Sequence, residues 1–283
     1  MCGLFLLAAA HYSGCEIHRA RAMSNLLPLL SWLAFPVYVW QGLAVRRRTP
    51  RLLPPEGPVL HTLTGHGEPV RLLVLGDSSA ASVGIVDSEQ GLAARLAHAL
   101  NRDTGRPVAW RAAGFNSATS GQLRDHVVPN MAAEPWTHIV LSVGTNDTKN
   151  FHSVSRFKKE FGGLLYAVRA KWPRARIVWS PVIDMTRVPA LPALLGRILE
   201  VRAGAINRMG TGLCLERGAL PAARLPVVDP AAGFSHDGFH ASVAGYRAWA
   251  DHLLPLIALD EAGAAASAAM AQSDGERDGG QCQ

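Results

Sequence analysis

Ser78 stands at the end of an apolar run, Val70-Arg71-Leu72-Leu73-Val74-Leu75, that closes on Gly76-Asp77. A hydroxyl in such a turn is a nucleophile only if a base takes its proton. Asp237-Gly238-Phe239-His240 offers that base. An aspartate three residues before a histidine, around a glycine, folds back to accept from imidazole Nδ1–H. Nε2 then faces outward, in the one ring whose charge changes near neutral pH. Asn146 follows Gly144-Thr145, and its side-chain NH₂ suits a developing oxyanion, as do backbone N–H groups beside Ser78. Taken singly, each cluster has an ordinary reading as a capping serine, an Asn-Asp turn or an Asp-Gly turn. His236 directly precedes Asp237 and cannot share the fold-back, while His138 and His152 are expected at the surface or at a helix start.

These side chains need a frame that brings distant segments together. The Val70 run reads as a strand buried on both faces, with its turn at the carboxyl end, where open α/β sheets place ligands. Further strands are expected at Val108–Ala112, His138–Val143, Arg176–Trp179 and Pro226–Asp229. Between them, helical spacing covers Ser88–Leu100, Ser120–Ala133 (cut by Pro129), Val154–Lys171, Ala193–Met209 and Ser242–Leu254, the last ended by Pro255. Strands separated by helices of this length predict an α/β fold, with a mostly parallel five-stranded sheet covered on both faces.

Gly76-Asp77-Ser78-Ser79, Gly144-Thr145-Asn146-Asp147 and Asp237-Gly238-Phe239-His240, in this order, resemble the motif blocks of the GDSL/SGNH hydrolase family. The resemblance spans Val70 to about Leu259. It implies a flavodoxin-like three-layer α/β/α sandwich and a serine esterase. Ser78 would be the nucleophile, His240 the base, Asp237 its orienter and Asn146 an oxyanion donor. The family's second block carries a glycine whose N–H completes the oxyanion hole. Ser117 stands at that place here, in Ala113-Gly114-Phe115-Asn116-Ser117-Ala118-Thr119, and can serve if its φ is negative; Gly114 is the alternative. Ser79 replaces the family's leucine and bears on packing behind the nucleophile.

The expected reaction is hydrolysis of a small-molecule carboxylic ester, short acyl chains first, through an acyl-enzyme, without metal or other cofactor. The rival substrates are lysophospholipid or thioester acyl groups and acetyl groups on polysaccharide. Among these segments Pro181–Leu195, with Met185, Val188, Leu191 and Leu194, is the one apolar stretch suited to line an acyl groove. The non-enzymatic rival is a catalytically silent, membrane-tethered module that binds acyl groups or glycan.

Hydrophobic residues make up 48% of the chain and charged ones 18%, which permits a large core. The formal net charge of +6 lacks an aromatic-interleaved basic stripe, so nucleic acid is not an expected partner. Much of the basicity sits in Arg46, Arg47, Arg48 and Arg51, beside the uncharged run Leu26–Val45. Twenty such residues match a bilayer span, the alternative being a helix packed on the domain or lying in the membrane plane, so residues 1–48 are read as a leader and membrane-anchor-like segment, the side of the membrane open. Met23 is an alternative start. Residues 49–67 read as a Pro/Gly-rich linker, 68–260 as the hydrolase domain and 261–283 as a disordered tail. Cys2, Cys15, Cys214 and Cys282 show neither metal-ligand spacing nor a disulfide framework.

Overall fold

The computed structural model describes residues 31–258. The expected leader up to residue 30 and the expected tail from residue 261 lie outside the described residues. A helix, α1 (Phe35–Arg48), precedes the first strand, β1 (Leu60–Leu63). Then follow β2 (Val70–Gly76), α2 (Leu92–Thr104), β3 (Val108–Gly114), β4 (His138–Ser142), α3 (Thr145–Lys149), α4 (Val154–Lys171), β5 (Arg176–Ser180), α5 (Ala193–Glu216) and β6 (Leu220–Pro221). A last helix, α6, spans residues 243–258.

The strands form one sheet in the order β1-β3-β2-β4-β5-β6, parallel except for β1. β2 lies between β3 and β4, where the order reverses, and this switch point is where such sheets open a crevice. Alternate residues of the central strands feed two separate cores. Leu73, Leu75, Ile139, Leu141, Ile177 and Trp179 pack under α4 and α5 with Phe157, Phe161, Leu164 and Leu199. Leu72, Val74, Val140 and Val178 pack under α2 and α6 with Leu96, Leu100, Tyr246 and Leu253. The side-chain period of two thus produces three layers, with the sheet dry on both faces.

The sheet has six strands, not five, and two of its edges depart from the sequence reading. β1 lies inside the expected linker and pairs antiparallel with β3, Leu60 opposite Arg111 and Leu63 opposite Val108. Three of its four residues are exposed, so it carries no buried-strand pattern, and it forms by borrowing the free edge of β3. The fifth parallel strand is Leu220–Pro221, two residues paired with Val178 and Trp179; Pro226–Asp229 is not a strand. Arg224 pulls the chain off the sheet before that point. Its guanidinium donates to both Glu200 oxygens (2.7 and 2.6 Å) and to the carbonyls of Val182 (2.9 Å) and Ile183 (2.6 Å). α6 also runs on through Pro255 rather than ending before it.

The apolar run at the N-terminus is described in part. Residues 26–30 lie outside the described residues; 31–34 form a 3₁₀ turn and α1 is 14 residues long. Among the described residues no helix is long and apolar enough to cross a membrane. α1 lies against the domain instead. Tyr38 donates to the Lys149 carbonyl, and its ring sits 4.4 Å from that of Phe151.

Candidate active site

β2 delivers Ser78. Gly76 is demanded by its neighbours: a Cβ there would sit 2.3 Å from the Ser142 carbonyl of β4, and one on Gly114, opposite in β3, would sit 1.9 Å from the Gly76 carbonyl. Two glycines in register let the strand ends close up under the turn. Beyond them Ser78 is half-buried at the start of a helical turn, Val83 N–H donating to its carbonyl at 2.9 Å. Asp77 anchors the turn from below. Its Oδ1 accepts from Ser79 N–H (3.0 Å) and Ser79 Oγ (2.9 Å), and its Oδ2 from Asn146 Nδ2 (3.0 Å). Ser79 is buried and lies 2.5 Å from Ser142 Oγ, so the residue standing in for leucine joins a polar network rather than an apolar contact. Burial pushes the Asp77 carboxyl above its ordinary value, against the lowering effect of the Ser79 donors and of Lys149.

Asn146 opens α3 at the end of β4 and is buried. Its two amide protons are both engaged, one by Asp77 and the other by the Ala118 carbonyl at 3.0 Å. Asn146 therefore ties the first block to the second and has to exchange one partner to reach an oxyanion. Behind it, Asp147 Oδ2 accepts from Ser120 N–H and Oγ, both at 3.1 Å. Its Oδ1 lies 3.3 Å from His152 Nδ1, which is also 3.3 Å from Glu160 Oε2. Asp147, His152 and Glu160 are the one group of such side chains among the described residues close enough together to hold a metal ion. His152 and His138 are both buried, not at the surface: His152 faces these carboxylates and His138 contacts Thr137 Oγ1 at 2.8 Å.

The second-block loop corrects the condition placed on Ser117. Its φ is +69°, not negative. The turn from β3 into the next helical turn closes over three residues, with Ala118 N–H donating to the Phe115 carbonyl at 3.1 Å, and this bend requires the left-handed region. The backbone there thus takes a conformation in which glycine is unstrained, while carrying a serine. Ser117 is exposed and Gly114 half-buried, and neither lines the cavity described below.

The late loop folds on itself. Gly238, at φ +67°, turns the chain so that His240 Nδ1 meets Asp237 Oδ2 at 2.5 Å. Asp237 Oδ1 accepts from Ser235 Oγ (2.8 Å), Phe239 N–H (2.9 Å) and His240 N–H (2.9 Å). Burial opposes the charge, but the bonds from His240, the two backbone N–H groups and Ser235 hold this carboxyl well below the usual range. His236, two residues from Phe234 in the same loop, points to solvent.

Ser78, Asn146 and His240 all line one cavity of about 310 Å³. It runs across the carboxyl ends of β2, β4 and β5, from Ser78 past Ser142 and Ser180. Its walls are mostly apolar, with Ile183, Met185, Val188, Leu225 to Val228, Phe234 and Trp249 among the lining residues. Leu191 and Leu194, from the expected acyl-groove segment, do not line it. The Pro226–Asp229 stretch, expected as a strand, is a wall instead, held by Arg187 donating to the carbonyls of Val227 (3.2 Å) and Val228 (3.3 Å). No periodicity marks such a wall, because its backbone is satisfied by side chains rather than by a ladder.

A doubly wound α/β sheet with its pocket at the strands' carboxyl ends, beside a strand-end serine, defines an enzyme of the α/β class. The family model described as the GDSL-like Lipase/Acylhydrolase family matches residues 74–248, and the chain belongs to that family. It is accordingly a carboxylic ester hydrolase. No sequence among the curated proteins matches it. In fold it is similar to the crystal structure of TesA, at 22% identity and a TM-score of 0.53 over 65% of this chain and 96% of that one. It is also similar to LAE5, an alpha/beta hydrolase enzyme from the metagenome of Lake Arreo, Spain, at 14% identity and a TM-score of 0.53 over 66% and 94%. A mutant of Axe2, an acetylxylan esterase from Geobacillus stearothermophilus, gives 17% identity and a TM-score of 0.52 over 66% and 94%.

Proposed function

We propose that the protein hydrolyses carboxylic esters of short acyl chains by way of a Ser78 acyl-enzyme. The observation that carries the reading is the shared cavity: Ser78 and His240 both open into it, and His240 is already held by Asp237 at 2.5 Å. In the reaction Ser78 Oγ attacks the ester carbonyl while His240 Nε2 accepts its proton. The tetrahedral intermediate collapses, His240 returns the proton to the departing alcohol, and water repeats the sequence to release the acid. The Asp237 carboxylate stays ionised and stabilises the imidazolium formed in each half. Asn146 Nδ2 and the N–H of Ser78, both residues of the cavity lining, are the proposed oxyanion donors, Asn146 exchanging its Ala118 or Asp77 partner for the oxyanion; Ser117, at positive φ, and Gly114 stand outside that lining.

The cavity lies at the small end of the range for ligand pockets, and its lining is apolar, so it suits a short acyl group with the alcohol outside. A panel of p-nitrophenyl esters from acetyl to palmitoyl, with Ser78→Ala as control, tests this. Rates should be highest for the short esters and absent in the variant. A fluorophosphonate should add to wild type and not to Ser78→Ala. A maximum at palmitoyl would favour the lysophospholipid or thioester reading, and turnover by Ser78→Ala would remove the mechanism.

A further inference from the structure

We propose that the outward face of α1 docks the protein on an anionic phospholipid surface. The inference stands apart from the esterase reading. α1 is a helix with two different faces. Its inner face is fixed: Tyr38 and Val45 pack against the core beneath, and Phe35 lies 5.4 Å from the Phe151 ring. Arg202 supports that contact from below, its guanidinium 3.7 Å from the centre of Phe151 and 5.2 Å from that of Trp32. Arg202 is buried, donates to the His152 carbonyl at 2.6 Å, and is pushed down to about 10 by burial.

The outer face has no such partner among the described residues. Pro36, Trp40, Leu43 and Arg47 fall at i, i+4, i+7 and i+11, one stripe along the helix. Trp40 is 71% exposed and Leu43 50%, and Leu33 at the start of the stripe is 80% exposed. Arg46 and Arg48 flank Arg47 at the helix end, both exposed. Basic residues in a last turn also complement the helix dipole. That accounts for the arginines but not for a tryptophan and two leucines in water beside them. On a lipid surface the tryptophan would sit at headgroup level and the arginines against the phosphates.

Charge decides the occupant. Residues 31–55 hold four arginines (46, 47, 48 and 51) and no lysine, aspartate or glutamate, so this stretch carries +4 of the chain's formal net charge of +6. A negative lipid surface meets this distribution, whereas a zwitterionic one or a second copy of the same cationic helix does not. Lys149 links the docked end to the cavity wall. Arg46 is near enough to lower Lys149 further after burial has done so, and Lys149 Nζ sits 4.4 Å over the ring of Phe239, a cavity-lining residue.

The test is co-sedimentation of the full-length protein with vesicles of phosphatidylcholine alone or mixed with phosphatidylglycerol. Binding should require phosphatidylglycerol and weaken with added salt. Replacing Arg46, Arg47 and Arg48 with Gln should lower the partition coefficient by about fivefold per arginine, on the order of a hundredfold together. Trp40→Ala with Leu43→Ala should weaken it as well, and an unchanged melting temperature shows each variant folded. Equal binding to both vesicle types, or binding indifferent to all these substitutions, would overturn the proposal and place attachment in the apolar residues before 31. Sedimentation equilibrium showing a dimer that Trp40→Ala and Leu43→Ala dissociate, with no vesicle binding, would overturn it in favour of a second copy.

Discussion

Asp237 and Asp77 are both buried carboxylates in the same site, only 6% and 5% exposed, yet they are driven in opposite directions. Asp237 gathers four donors from a segment of six residues, Ser235 to His240, and is held ionised. Asp77 is met by Ser79 from its own turn and by Asn146 from another strand end, and burial pushes it up. The first is a local device that makes a charge for the imidazole to lean on. The second is a structural knot that fixes where the serine turn and the asparagine sit relative to each other. Depth of burial and the number and origin of the donors therefore decide together which way a carboxylate is driven.

The comparison can be pressed from its strongest consequence downward. His240→Ala removes the proposed base, and kcat should fall by about 10⁶, while the exposed His236→Ala should leave it near wild type. If a steady-state assay reverses that order, the base is misassigned. Asp237→Asn keeps the loop's shape but offers Nδ1–H a poorer partner, so kcat should drop by about 10⁴. The same substitution tests stability. A carboxyl held low contributes stability that is present above the ordinary carboxylate range and is lost as pH falls through its lowered value. Melting temperature against pH should thus fall at the acid end in wild type and fall less in Asp237→Asn.

Asp77→Asn probes the knot. An amide there places an NH₂ against either Asn146 or the Ser79 donors, and kcat should lose about 10²–10³, the scale of one oxyanion donor. Its pH signature has the opposite sign. A carboxyl raised by burial favours the fold at low pH, and that advantage disappears as pH rises through the raised value, so Asp77→Asn should gain relative stability toward neutral pH. Identical pH profiles for the two variants would erase the contrast drawn above. The smallest effect belongs to Ser117. At φ +69° a glycine is the unstrained residue, so Ser117→Gly should raise stability by about 1 kcal/mol in denaturant unfolding and keep activity within a few-fold.

From the sequence alone the parallel α/β layers, the serine turn, the late Asp–His fold-back and the asparagine strand end were all legible. Each is announced by spacing within a few residues: the buried run into Gly76, the Gly at 238 between an acid and a histidine, the Gly-Thr before Asn146. What needed the tertiary structure are the features that borrow partners from afar. β1 exists because β3 has a free edge, the cavity wall at 226–229 exists because Arg224 and Arg187 hold it off the sheet, and α1 lies on the domain because Phe151 and Arg202 receive its aromatic face. Ser117's left-handed turn and the double engagement of Asn146 belong to the same group. A residue's type and its near neighbours set local conformation and periodic burial. Which distant carbonyl, edge or guanidinium satisfies it is a property of the folded chain, and here that decided the number of strands, the pocket's wall and the partners of Asn146.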